Sequence, residues 1–257
     1  MHNKLVNELA VCGFNAVKAI AENHPEKVNR LFLREDRLEV FSGLCRSMAE
    51  RKLPYKICDD EELERVCKTY HHQGIAAMIE EPAAVPLNRD DLDLWDRECK
   101  TGIVLHSVGN DLNLGAIVRA AAFFDVHFVV ISELDECARL STGAYRVAEG
   151  GMEFVHVRSV HRTDAFLKEA SKRILVIGTD HRARRRIRDI PSLMETAENG
   201  KPCRQGMALV VGNEEAGLPQ SVKDNCTALF RIPGTGFIES LNVAQASALF
   251  LHELFEL

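Results

Sequence analysis

The chain has 257 residues, 46% of them hydrophobic and 27% charged, with a formal net charge of −6. A chain of this size buries roughly 70–75% of the surface its unfolded form exposes, so it needs no disulfide or metal staple, and one or two domains are expected. The net negative charge argues mildly against nucleic acid, and the lack of a long apolar run argues against a membrane span. The eight cysteines, at 12, 45, 58, 67, 99, 137, 203 and 226, form no Cys-x-x-Cys pair and no zinc-spaced cluster. With no secretory signal visible, this predicts reduced thiols, no metal and a cytoplasmic location.

In chain order, Phe14 to Glu22 reads as a helix and Val28 to Leu33 as a strand. Arg37 to Lys52 reads as a helix, with Leu38, Phe41, Leu44, Cys45 and Met48 at helical spacing. Tyr55 to Cys58 is a short strand. Asp59 with Glu62 three residues on has the spacing of a helix start, and that helix runs to about Lys68. Gly74 to Ile79 is a further apolar strand, with His71 and His72 at its entry rather than in a metal site. Alternation of strands and helices predicts a small α/β domain over residues 1–85. Residues 86–100, with Pro86 and an acidic run from Asp90 to Asp96, suit a linker or one short helix.

From Thr101 to Leu257 the alternation resumes. Strands are expected at Gly102 to Val108, Val126 to Ile131, Ile174 to Gly178, Ala208 to Gly212 and Ala228 to Ile232. Helices are expected at Leu114 to Phe124 and Asn242 to Leu257. Continuous apolar strands between helices predict a mostly parallel sheet covered on both faces.

Three segments carry candidate chemistry, each following a strand, where ligand sites of α/β sheets collect. Asn113-Leu-Gly-Ala-Ile-Val-Arg119 offers Asn113 as a helix cap and Arg119 on an apolar face with Ile117, Ala120 and Phe123. Its structural alternative is a helix that snorkels one arginine to solvent. Gly212-Asn-Glu214-Glu-Ala-Gly217-Leu-Pro219 is a strand exit whose glycines would let peptide groups reach a nucleotide-like ligand. It lacks the Gly-Lys-Ser/Thr of a P-loop, and an ordinary strand-exit turn is the alternative. Ile232-Pro-Gly234-Thr-Gly236-Phe-Ile-Glu-Ser240-Leu241-Asn242-Val243 loops into the last helix, where Ser240 could serve only as the N-cap.

Taken together, Asn-x-Gly-x-x-x-Arg, Gly-x-Glu-x-x-Gly-Leu-Pro and Ile-Pro-x-x-Gly-x-x-x-Ser-Leu-Asn-Val resemble, in order and content, the three signature motifs of the SpoU (TrmH) family of RNA ribose methyltransferases. Thr142 to Arg146 and Gly150 to Glu153 resemble the looser central segment of some members. Val11-Cys-Gly-Phe-Asn-Ala-Val17 and His72-Gln-Gly-Ile-Ala76 resemble the start and end of the L30e-like substrate-binding domain found before many such catalytic domains. Two departures stand out: Gly234 replaces a frequent Met, and Ala244-Gln245 replaces the usual Ser-Val.

The resemblance implies a trefoil-knotted catalytic domain over residues 101–257 that binds S-adenosylmethionine, methylates a ribose 2′-hydroxyl of RNA and forms a homodimer. By motif position, Gly212, Ile232 and Leu241 would line the cofactor. Asn113, Arg119, Glu214, Ser240 and Asn242 would form the catalytic cluster. Arg119 would be either the base, as for similar enzymes, or a fixed cation that stabilises the developing alkoxide. The arginine run Arg182, Arg184, Arg185, Arg186 and Arg188 reads as a solvated loop or as a dock for the RNA backbone. An rRNA substrate is favoured by the first domain. A tRNA substrate, or a non-catalytic RNA-binding factor on the same fold, is the alternative.

Overall fold

The computed structural model describes residues 7–134, 137–194 and 205–256. They form two compact units. The first holds the chain up to Ala83 together with Leu140–Phe154, and the second holds Ala84–Arg139 and Val155–Leu257.

Numbered along the chain, the first unit contains β1 (Glu8–Cys12), α1 (Phe14–Asn23), β2 (Val28–Leu33), α2 (Ser42–Glu50), β3 (Tyr55–Ile57), α3 (Asp60–Cys67), β4 (Ile75–Glu80) and α6 (Thr142–Ala148). Its sheet runs β1-β4-β2-β3, with β4 antiparallel to both neighbours and β3 parallel to β2. β4 is buried from Ile75 to Ile79, as expected of a central strand clothed on both faces. Asp59 caps α3 by accepting from Glu62 N at 2.9 Å. The helix expected from Arg37 starts only at Ser42, after a 3-10 turn at Glu35–Arg37, yet its apolar stripe of Phe41, Leu44, Cys45 and Met48 is buried as read.

The segment around α6 belongs to this unit by charge as well as by packing. The Glu153 carboxylate is almost wholly buried; it accepts from Lys27 Nζ at 2.7 Å, and His24 Nδ1 lies 2.7 Å away. A buried carboxylate without such partners would be costly. Gly150, with φ of +93°, lies so close to α1 that a Cβ there would stand 2.7 Å from Ala19 Cβ.

The second unit contains β5 (Val85–Pro86), α4 (Arg89–Arg97), β6 (Thr101–Leu105), α5 (Asp111–Phe123), β7 (Phe128–Ser132), β8 (His156–Val160), α7 (Thr163–Ala170), β9 (Leu175–Thr179), β10 (Arg185–Arg186), β11 (Met207–Val211), α8 (Gln220–Lys223), β12 (Ala228–Arg231) and α9 (Val243–Phe255). Eight strands follow the order β10-β12-β9-β11-β6-β7-β8-β5, and every pairing between neighbours is parallel. The α/β reading with a largely parallel sheet is borne out. In the segment read as a linker or a short helix, the helix forms. Asn88 and Asp91 make a reciprocal capping box, and Trp95 is buried against Phe128, with its Nε1 donating to Met207 O at 3.0 Å.

The seven described cysteines form no disulfide among themselves, and Cys203 lies outside the described residues. Among the described residues no helix is long and apolar enough to cross a membrane.

Candidate active site

Because the strands are parallel, the loops that leave β6, β9, β11 and β12 all emerge at one edge of the sheet, with β12, β9, β11 and β6 side by side. The three motifs occupy three of those loops.

The first motif opens α5. Its N-cap is Asn110, not Asn113: the Asn110 side chain accepts from Leu112 N at 2.8 Å and from Asn113 N at 3.2 Å. That leaves the Asn113 amide free for other partners. Its Nδ2 donates to Glu214 Oε1 of the second motif, and its Oδ1 accepts from Asn242 Nδ2 of the third motif at 3.1 Å. One side chain therefore joins all three motifs. The orientation of both amides is fixed from each end. An ionised carboxylate can only accept, so the NH2 of Asn113 faces Glu214. Asn242 Oδ1 accepts from Ala244 N at 2.9 Å, so its NH2 must face Asn113.

That last bond also makes Asn242 the N-cap of α9, the role read for Ser240. Ser240 is exposed and, among the described residues, has no side-chain hydrogen bond.

The second motif turns sharply. Gly217 N donates to Asn213 O at 2.9 Å, and Asn213 Oδ1 accepts from the amides of Glu215 and Ala216. Asn213 Nδ2 then reaches Ser107 O at 3.2 Å, tying this loop to the exit of β6. A Cβ on Gly212 would stand 2.5 Å from the carbonyl of Gly217, so only glycine fits. Asn213 and Asn110 carry the local geometry and were not singled out in the sequence. The signal for Asn213 is an Asn followed at two and three residues by amides it can bond, the Asx turn.

The positions expected to line a cofactor fall where the strands end. Gly212 follows β11, and Ile232, half-buried, follows β12. Leu241 is 45% exposed just before α9. One half-buried and one exposed apolar side chain beside tight peptide turns suit an adenosine group, with apolar faces for the ring and backbone groups for its polar edge.

Arg119 is not brought to this cluster within one chain. Six residues at about 3.6 per turn place it two-thirds of a turn round α5 from Asn113. It is exposed and has no hydrogen-bond or ion-pair partner among the described residues. The buried face of α5 is Leu114, Ile117, Val118 and Ala121. The apolar face read for Arg119 is thus corrected: Ile117 is buried, while Arg119 lies on the opposite stripe with Leu112 and Phe123, which are 48% and 79% exposed.

All five arginines of the 182–188 run are exposed. Arg185 and Arg186 form β10, the edge strand beside β12. Asp180 anchors the start of the run. Burial pushes its carboxyl up, but Lys223 Nζ at 2.7 Å and the Arg182 amide at 2.8 Å outweigh that and hold it below the usual carboxylate range.

Comparison with known proteins finds similarity along most of the chain. The SpoU rRNA Methylase family profile matches residues 100–252, and the profile described as RNA 2′-O ribose methyltransferase substrate binding matches residues 10–85. The 23S rRNA (guanosine-2′-O-)-methyltransferase RlmB of Nitrosomonas europaea is 29% identical over 249 residues, spanning 95% of this chain and 90% of that protein. The protein of the same name from Ralstonia nicotianae is 30% identical over 246 residues, spanning 94% and 92%. Among solved structures, the SpoU methyltransferase AviRb from Streptomyces viridochromogenes, in complex with AdoMet, aligns with a TM-score of 0.73 over 97% of this chain and 90% of that one. At 19% identity that likeness speaks for the fold.

Proposed function

The chain belongs to the SpoU rRNA Methylase family, and from that premise we propose that it transfers a methyl group from S-adenosylmethionine to a ribose 2′-hydroxyl of rRNA. The observation that carries this reading is the Glu214–Asn113–Asn242 chain of hydrogen bonds. It locks three motifs, distant in sequence, into one polar cluster at the edge of the sheet where α/β enzymes bind ligands.

S-adenosylmethionine supplies an electrophilic methyl group on its sulfonium sulfur. The chain's task is to hold the ribose oxygen in line with that methyl, a positioning effect worth up to roughly 7–11 kcal/mol in well-aligned systems. In that transfer the carbon–sulfur bond would be exchanged for an oxygen–carbon bond, leaving S-adenosylhomocysteine, with the hydroxyl proton passing to water. Glu214 fixes Asn113, and Asn113 fixes Asn242, so these amides can present rigid groups to the hydroxyl. A guanidinium is an inefficient base because it stays charged across the usable pH range. Arg119 is therefore assigned to stabilising the developing alkoxide or an adjoining phosphate. Gly212, Ile232 and Leu241 are assigned to the cofactor, and the loops that carry them would form the family's trefoil knot. Residues 10–85 are assigned to RNA binding, and the chain is assigned to the cytoplasm.

We also assign a homodimer through the catalytic unit. Leu112, Arg119 and Phe123 make one exposed stripe on α5, and Leu249 and Phe255 are exposed on the neighbouring α9. A second copy seated on these helices would bury the apolar groups and bring Arg119, which is remote from its own cluster, to the interface. The five exposed arginines from Arg182 to Arg188 are assigned to the RNA backbone.

The decisive experiment maps 2′-O-methyl groups in total RNA from cells with and without this gene. Loss of an rRNA site is expected. A lost tRNA site would change the substrate, and no lost site would overturn the enzymatic reading.

A further inference from the structure

Phe237 lies in the third-motif loop, three residues before Ser240 and five before Asn242. It is 90% exposed, the most exposed large hydrophobic residue of the described chain. An aromatic side chain carries some 150–250 Å² of largely apolar surface, so leaving it in water forgoes substantial stabilisation. Its neighbours keep it there. Gly236 takes φ of +86°, and neither Gly234 nor Gly236 has anything within 4 Å of where a Cβ would stand, so the loop stands clear of the rest of the unit. Thr235 Oγ1 accepts from Phe237 N at 3.5 Å, a local turn that orders the loop tip.

The same loop is tied to the arginine run. Glu239 Oε1 lies 3.2 Å from His181 Nε2 and 4.0 Å from an Arg182 guanidinium nitrogen. β10 pairs Arg186 with Arg231, the residue at the root of the loop. A cationic strip that suits phosphates thus touches the loop that carries the exposed ring, and the same loop reaches the polar cluster five residues further on, at Asn242. Phosphate, base and ribose are the three parts of a nucleotide. Charged side chains take the first, and aromatic faces take the second regardless of sequence.

We propose that Phe237 stacks on the base of the nucleotide being methylated, or on the base adjoining it, and so holds the target ribose at the Asn113–Asn242 cluster. This rests on the reading of the chain as an rRNA ribose methyltransferase. Phe237 is a substrate-positioning residue and takes no part in bond making.

The test uses the full-length chain, tritium-labelled S-adenosylmethionine and unmodified rRNA transcribed in vitro. Phe237→Ala and Phe237→Leu are expected to raise KM for RNA by roughly 5- to 150-fold, the range for loss of one base–aromatic stack. Phe237→Trp, which keeps a π face, is expected to stay close to wild type. Binding of S-adenosylmethionine by calorimetry and molar mass by light scattering are expected to be unchanged in all three. A Leu variant with wild-type KM would overturn the proposal, because apolar bulk would then suffice. A variant that loses cofactor affinity or becomes monomeric would overturn it too, assigning Phe237 to the cofactor or to a second copy of the chain. Failure of the wild-type chain to methylate rRNA would instead overturn the functional reading and this assignment with it.

Discussion

Asn113 is the residue on which the site turns. Its hydrogen bond to the Glu214 carboxylate is charge-assisted, a class worth about 1.5–3 kcal/mol in a sheltered setting. Its carbonyl aims the Asn242 amide, whose own oxygen is committed to the start of α9. Arg119 stands in contrast, with no partner among the described residues holding it in place. A residue that no described residue holds is available to a substrate or a second subunit. Arg119→Ala is accordingly expected to abolish methyl transfer, by 100-fold or more, while leaving the Kd for S-adenosylmethionine within about twofold. Single-turnover transfer to rRNA and calorimetry together check it, and near-normal turnover would remove Arg119 from the assigned site. The resemblance to the family's motifs singled out these side chains. Their bonds were not legible, because Asn110, Asp111 and Asn113 are all able to cap a helix and only the backbone trace decides which one does.

At the scale of elements, the strands β2, β6, β11 and β12 and the helices α5 and α9 were legible because each is a continuous or periodic apolar run. β1 and β8 were not foreseen. β8 reads His-Val-Arg-Ser-Val, and its Arg158 is tolerated because Asp91 of α4 pairs with it at 2.9 Å, a partner 67 residues away that no local pattern discloses. α4 itself carries four aspartates among its nine residues and hides Trp95. The ring lies flat over Gly102, where an added Cβ would stand 2.1 Å from Trp95 Cζ2. Gly102→Ala must push the indole off Phe128 or bend β6. Overpacking of that kind costs about 1–3 kcal/mol, which a thermal melt would register as a fall of several degrees in Tm. An unchanged Tm would show that the indole relocates freely.

At the scale of the molecule, two compact units divide the chain, and the division does not follow the sequence order. Leu140–Phe154 leaves the second unit's stretch of chain and packs with the first. That excursion was invisible in the sequence, where the segment only resembled a central motif. Its reason lies in the burial of Glu153 beside Lys27 and His24, groups contributed by residues well over a hundred positions earlier. The quaternary proposal belongs at this scale. Phe123→Glu places a charge on the exposed α5 stripe. It is expected to yield a monomer by light scattering and to reduce rRNA methylation at least tenfold, with the fold intact by circular dichroism. A dimer that persists in this variant would exclude the α5 stripe as its interface.

The burial of Trp95 has an optical consequence. It is the only tryptophan among the 257 residues, and it sits in the core of the second unit, beside Phe128 and with its indole N–H bonded to Met207 O. Tryptophan emission is therefore a private signal of that unit, blue-shifted while the sheet holds and silent about the first unit. Emission and far-ultraviolet dichroism recorded on the same melt would separate the unfolding of the two without any label.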